Sequence, residues 1–156
     1  MKIKIILVGK TDLSYIQEGW DEFLTRLKRY IPVEILMIPA LKNTKNIPTE
    51  QQKIAEGKLI HEKLYAGDCL VLLDENGQQF SSVQFSAFLQ QRMNSGLKNL
   101  VFVVGGPFGF SEEIYKKADF KMGLSKMTFT HQMVRLILIE QLYRAFTIIQ
   151  NENYHH

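Results

Sequence analysis

Five short runs rich in β-branched residues, each followed by a segment of helical periodicity, constrain what this chain can fold into. The runs are Ile3–Val8, Val33–Ile38, Cys69–Leu73, Leu100–Val104 and Phe120–Leu124, each short and apolar enough for a strand buried on both faces. Helical patterns fill the gaps. Between Leu13 and Tyr30, residues Ile16, Trp20, Phe23, Leu24 and Leu27 recur at helical spacing, while Thr49 with Gln52 and Ser81 with Gln84 have the spacing of capping boxes. Ser111 followed by Glu112 and Glu113 places a cap and two carboxylates where the helix dipole favours them. Asn76-Gly77 marks a turn after the third strand. This alternation predicts an α/β fold with a mostly parallel sheet flanked by helices. With 156 residues, 46% of them apolar, residues 1–156 are expected to form a single domain around one core. The loop from Ala40 to Pro48, carrying Lys42, Asn43, Lys45 and Asn46, is the expected mobile segment.

The last helical pattern departs from the usual amphipathic stripe. Apolar residues from Met133 to Ile149 occupy most of its circumference, and a helix apolar nearly all round must be buried nearly all round. Either it is the central core helix of a monomer or it forms a subunit interface.

Charge and motifs narrow the function classes. A formal charge of +3 permits a nucleic-acid partner without requiring one. The single cysteine, Cys69, lies in an apolar run with no disulfide or metal-pair partner, which implies a buried thiol and a reducing, cytoplasmic setting. The amino-terminal apolar run is too short for a secretory signal, and Arg135 and Glu140 interrupt the longest later one, so no membrane span is expected. The sequence has no GxxxxGK[ST] phosphate loop, GxGxxG after the first strand, GxSxG elbow, HExxH or cysteine-histidine zinc spacing. These absences argue against nucleotide hydrolysis, dinucleotide redox chemistry, esterase activity and a metal site. What remains is a pair of loops, Gly105-Gly106-Pro107-Phe108-Gly109 and Ser125 to Thr130, both after strands, where open α/β sheets bind ligands.

The segments LVFVVGGPFGFS, LSKMTFTHQMVRLILIEQLYRAF and the terminal NYHH, with KIKIILVGK, IPVEILMIPALKNTKN and VLLDENGQQFSS, resemble in order the ribosomal RNA large subunit methyltransferase H family of the SPOUT methyltransferases. The resemblance covers essentially the whole chain. It implies a C-terminal trefoil knot, which the general rule against threaded connections would not have predicted. It also implies an S-adenosylmethionine cofactor, a homodimer, and methylation at N3 of a pseudouridine in the helix 69 loop of large-subunit rRNA within the ribosome.

By position, the resemblance assigns the cofactor site to Leu73, Gly105, Gly106, Ser125, Lys126, Met127, Thr128, Phe129 and Thr130. Loops rich in Gly, Ser and Thr beside apolar side chains provide an adenine slot lined with backbone donors and acceptors. His131 either accepts the N3 proton or caps the helix it begins. Arg135 and Arg144 either contact RNA or stabilise the deprotonated base, or Arg144 simply pairs with Glu140 four residues before it. Tyr154 and His155 match the family's terminal pair, with a disordered end as the ordinary alternative. His156 stands where the family commonly has arginine, at a position expected to face RNA. Two alternatives stay open: a dimeric ribosome-binding factor without catalysis, and a flavodoxin-like small-ligand sensor.

Overall fold

The computed structural model describes residues 1–155. Its elements alternate as expected: β1 (Lys2–Val8), α1 (Ser14–Leu27), β2 (Val33–Ile38), α2 (Thr49–His61), β3 (Asp68–Gln79), α3 (Ser82–Asn94), β4 (Asn99–Val104), α4 (Glu112–Lys117), β5 (Phe120–Gly123) and α5 (His131–Ile149), with a short 3-10 turn at Thr44–Asn46. The strands form one sheet in the order β2-β1-β4-β3-β5, every pairing parallel. All five carboxyl ends therefore lie along one edge.

Alternation along the strands divides the interior in two. Ile3, Ile5 and Leu7 of β1 and Leu100, Phe102 and Val104 of β4 face a core closed by Trp20, Leu27, Phe85, Leu89 and the inner side of α5. Ile6, Val8, Val101 and Val103 face the opposite core, closed by Ile60 of α2 and Ile114 of α4. Strands buried on both faces are apolar at nearly every position, which is why these runs lack a polar stripe. The buried pair of Lys4 in β1 and Asp68 in β3 is the exception. The Lys4 ammonium lies 3.2 Å from Asp68 and 4.6 Å from the centre of the Tyr65 ring, partners that offset the cost of burying the charge. Cys69 is half-buried, and burial pushes its thiol pKa up, so it is a poor nucleophile.

The two proposed capping boxes fare differently. Ser81 accepts from the Gln84 backbone and Gln84 reaches back to the Ser81 amide, a complete box. The Thr49–Gln52 box does not form: Pro48 holds the cap position, and Gln52 Nε2 donates instead to the carbonyls of Ile47 and Thr44 at 2.7 and 3.3 Å. That side chain braces the 3-10 turn inside the segment expected to be mobile. Ser111 caps α4 as expected.

The Asn76-Gly77 signal does not end β3. The strand pairs with β5 through Leu73 and again through Gln78, both opposite Met122, and Asp74–Gly77 bulges out between. Glycine is required at the return, because a Cβ on Gly77 would stand 2.6 Å from backbone atoms of Lys121 and Met122.

The last helix runs between α1 and α3 over the sheet. Leu138, Ile139, Leu142, Ala145 and Phe146 are buried beneath it, and Val134, Leu136 and Tyr143 pack against the same core. Thus most of its apolar circumference is covered within one protomer. Met133, Ile137 and Ile148 belong to neither core among the described residues; with Glu140 and Arg144 they form a half-buried outer stripe. Asn151 ends the helix in the left-handed conformation, φ 57°, and the Glu152 amide donates back to Thr147.

Candidate functional site

Where the carboxyl ends of β3, β4 and β5 meet the start of α5, the loops enclose a cleft of about 590 Å³, within the range of small-ligand sites. Of the residues assigned to a cofactor, Leu73, Gly105, Gly106, Ser125, Met127, Thr128 and Phe129 line it, as does His131. Lys126 and Thr130 do not. Lys126 is exposed, and Thr130 caps α5 through its hydroxyl, which accepts from the Met133 amide at 3.3 Å. His131 is therefore not the cap.

Sequence reasoning missed part of this wall. Asp74, Glu75 and Asn76 line the cleft from the β3 bulge, and Tyr115 lines it from α4. Tyr115 donates to Asp74 Oδ2, and burial together with that bond pushes its phenol pKa up to about 12, so it remains protonated. Thr128 donates to Glu75 Oε2 at 3.1 Å, tying the second loop to the bulge. The only prior signal was the Asn76-Gly77 pair, which marked a turn rather than a wall. At the mouth, Phe108, Met127 and Phe129 are exposed, Met127 by 75%. Exposed large apolar side chains around a cleft mark a place where something docks.

Gly106 has a neighbour that the sequence did not disclose. A Cβ there would lie 2.8 Å from Glu56 Oε2, so glycine lets the first loop pass close to α2. Burial raises the pKa of the Glu56 carboxyl.

The first turn of α5 fastens the β1–α1 loop. Gln132 Oε1 accepts from the Asp12 and Leu13 amides at 3.1 and 3.2 Å, while Arg135 donates to Thr11 Oγ1 at 2.8 Å and to the Val8 carbonyl at 2.6 Å. The expectation that Arg135 faces RNA is corrected: its side chain is 0% exposed, its two terminal nitrogens donate to the protomer's own loop, and Nε is buried with no hydrogen-bond partner among the described residues. His131 is exposed, yet partial desolvation at the cleft, aided by the nearby Arg135 cation and opposed by Asp12, lowers its pKa.

Arg144, Tyr154 and His155 lie elsewhere. Arg144 pairs with Glu140 at 2.6 Å and sits 4.6 Å from the centre of the Tyr154 ring, and Tyr154 Oη donates to Glu140 at 3.1 Å. Glu152 accepts from Tyr30 at 2.6 Å, so the tail is held by side-chain contacts through Tyr154. His155 is exposed, and His156 lies outside the described residues. At 1.5 Å per residue, Arg144 is about 20 Å along α5 from His131. One protomer does not bring the tail to its own cleft.

This architecture has relatives. A family model described as a predicted SPOUT methyltransferase matches residues 1–155. The chain belongs to the SPOUT methyltransferases. Within this family it is 60% identical over 156 residues to the ribosomal RNA large subunit methyltransferase H of Flavobacterium johnsoniae, covering 100% of this chain and 99% of that protein. It is 57% identical to the same-named protein of Parabacteroides distasonis, with the same coverage, and 50% identical to that of Cytophaga hutchinsonii over the full length of both. The structure of a probable methylase family protein from Haemophilus influenzae Rd KW20 superposes with a TM-score of 0.51 at 11% identity, covering 96% of this chain and 66% of that one. That likeness concerns the fold. As a SPOUT methyltransferase the chain requires a methyl donor, and the cleft at the β3, β4 and β5 ends has the size and mixed lining to hold one.

Proposed function

We propose that this SPOUT methyltransferase is a homodimer that transfers a methyl group from S-adenosylmethionine to N3 of a pseudouridine in the helix 69 loop of large-subunit rRNA, in the cytoplasm and on the assembled ribosome. The observation that carries the reading is the cleft itself, which gathers seven of nine proposed cofactor residues beside a free histidine in a chain whose relatives bear that name along their whole length.

The lining fits the cofactor's chemistry. Leu73, Met127 and Phe129 offer an apolar slot for adenine, and the backbone of Gly105, Gly106 and Ser125 offers hydrogen bonds to its edge. When bound, the cofactor supplies an activated methyl group and its own leaving group. The protein then has to hold N3 in line with that methyl and take its proton. His131 lines the cleft with a lowered pKa, hence a neutral imidazole able to accept a proton at neutral pH.

Dimerisation gives the distant tail a use. The outer stripe of Met133, Ile137 and Ile148 offers apolar surface for a second copy, and a two-fold axis across α5 sets the tail of one protomer near the cleft of the other. We also read residues after β5 as the threaded part of the family's trefoil knot, since the chain turns back from the sheet edge through Ser125–Thr130 before α5 packs between α1 and α3. No helix among the described residues is long and apolar enough to cross a membrane.

Transfer of radiolabelled methyl groups to ribosomes lacking the modification tests the reading. Incorporation at the pseudouridine N3 supports it. Tight ribosome binding without incorporation would favour a non-catalytic binding factor instead.

A further inference from the structure

The carboxyl edge of the sheet continues past the cleft to β1 and β2, and what stands there has opposite charge. The β3 bulge contributes Asp74 and Glu75 to the cleft wall, which repels phosphate. A nucleotide presented to this cleft arrives on a strand whose flanking phosphates need positive charge alongside. The loops leaving β1 and β2 supply it. Lys10, Lys42 and Lys45 are exposed there, none forms an ion pair among the described residues, and Asp12 is the one carboxylate in the two loops.

These lysines stand on braced backbone. The Gly9 amide donates to the Ile38 carbonyl at 2.8 Å, so the loops depart side by side. The first is tied to α5 by Gln132 and Arg135, and the second by Gln52 beneath its 3-10 turn. Because His131 begins the same helix and lines the cleft, the first loop is set relative to the reacting position.

We propose that the β1–α1 and β2–α2 loops form a basic ledge beside the cleft that grips the phosphate backbone of the RNA substrate through Lys10, Lys42 and Lys45. The ledge rests on the methyltransferase reading above and adds the surface on which the substrate strand lies. Each lysine should account for about one phosphate contact, and each such contact adds about 0.7 to the log–log salt slope for single-stranded RNA.

The test compares wild-type protein with K10E/K42E/K45E and with the milder K10Q/K42Q/K45Q, using ribosomes that lack the modification. Methyl transfer is followed across a salt series, with cofactor affinity from calorimetry and folding from circular dichroism. The ledge predicts that KM for ribosomes rises at least tenfold in the glutamate variant and less in the glutamine one, that the salt slope of kcat/KM falls by about 2, and that cofactor affinity stays within twofold. Active wild-type protein with unchanged ribosome KM and salt slope in the glutamate variant would overturn the ledge alone. Equal losses of cofactor affinity and ribosome KM would also overturn it, by showing that the loops support the fold of the cleft. Wild-type protein that transfers no methyl group to these ribosomes would overturn the functional reading and the ledge together.

Discussion

Arg135 donates to the carbonyl oxygen of Val8 at 2.6 Å, joining the first turn of the last helix to the end of the first strand across 127 positions of sequence. A guanidinium with 0% exposure and no carboxylate in hydrogen-bond contact is costly, and its two donations to Val8 and Thr11 offset only part of that cost. What the arrangement secures is geometry. It holds the β1–α1 loop against the helix that carries His131, with a fixed positive charge one turn away.

That charge has a kinetic consequence. With the pKa of His131 below its ordinary 6.5, the neutral base predominates at pH 7, and kcat/KM should rise with pH along an acid limb below 6.5 before levelling. Arg135→Met removes the cation that helps to depress this pKa, so the limb should move upward, while Arg135→Lys should leave it nearly in place. Partial desolvation at the cleft, the larger cause, persists in both variants, so the shift is partial. A pH–rate profile with the same limb in wild type and Arg135→Met would remove Arg135 from the tuning of His131.

At the other wall, Gly106→Val puts a branched side chain where even a Cβ would stand 2.8 Å from Glu56 Oε2. The Glu56 carboxylate has to swing aside or the Gly105–Gly109 loop has to shift, and in either case the valine methyls add bulk to the loop that lines the cleft. Cofactor affinity should fall at least tenfold, which corresponds to about 1.4 kcal/mol, with the helical circular-dichroism signal retained. Unchanged calorimetric affinity would remove the Gly106 position from the cofactor contacts.

The outer stripe of α5 makes the association state testable. Ile137 is half-buried, contributes to neither core among the described residues, and stands four positions from Met133 on the same helical face. Ile137→Glu should leave the protomer folded and convert a dimer mass to a monomer mass in light scattering at micromolar concentration. A wild-type monomer, or a variant that remains dimeric, would place the interface elsewhere or abolish it.

How much of this was legible beforehand follows from the range of each interaction. Strand positions came through because burial on both faces writes itself as a continuous apolar run, and Ser81 and Ser111 because caps act within four residues. Thr49 has the same local pattern, yet Pro48 takes the cap and Gln52 turns to Ile47, a choice made by the preceding loop. The two small-residue loops pointed to the cleft. Its acidic wall, the Glu56 carboxylate under Gly106 and the burial of Arg135 did not appear, because each joins segments far apart in sequence. Arg135 was the instructive case: an arginine on an apolar helix reads as a ligand contact unless its partner, a strand carbonyl 127 residues away, is known.

The tail offers the sharpest test, because Tyr154 is packed against Tyr143, Glu140 and Arg144 while the cleft lies about 20 Å away along the same helix. Removing Tyr154 to His156 should cost modest stability, since Tyr154 packs on the half-buried outer face of α5 and belongs to neither core among the described residues, and should leave cofactor binding intact. Methyl transfer should nonetheless fall by about 10²-fold or more if the tail positions the base or moves its proton. Co-expression of the truncated chain with a His131→Ala chain then distinguishes two arrangements. If the tail of one protomer serves the cleft of the other, a mixed dimer contains one intact site, and a statistical mixture should recover roughly a quarter of wild-type activity under two-fold symmetry. If each tail serves its own cleft, every site in the mixed dimer lacks one component and activity should stay at the level of the single variants. Full activity in the truncated protein alone would remove Tyr154 and His155 from the chemistry and leave His131 as the remaining candidate for the proton.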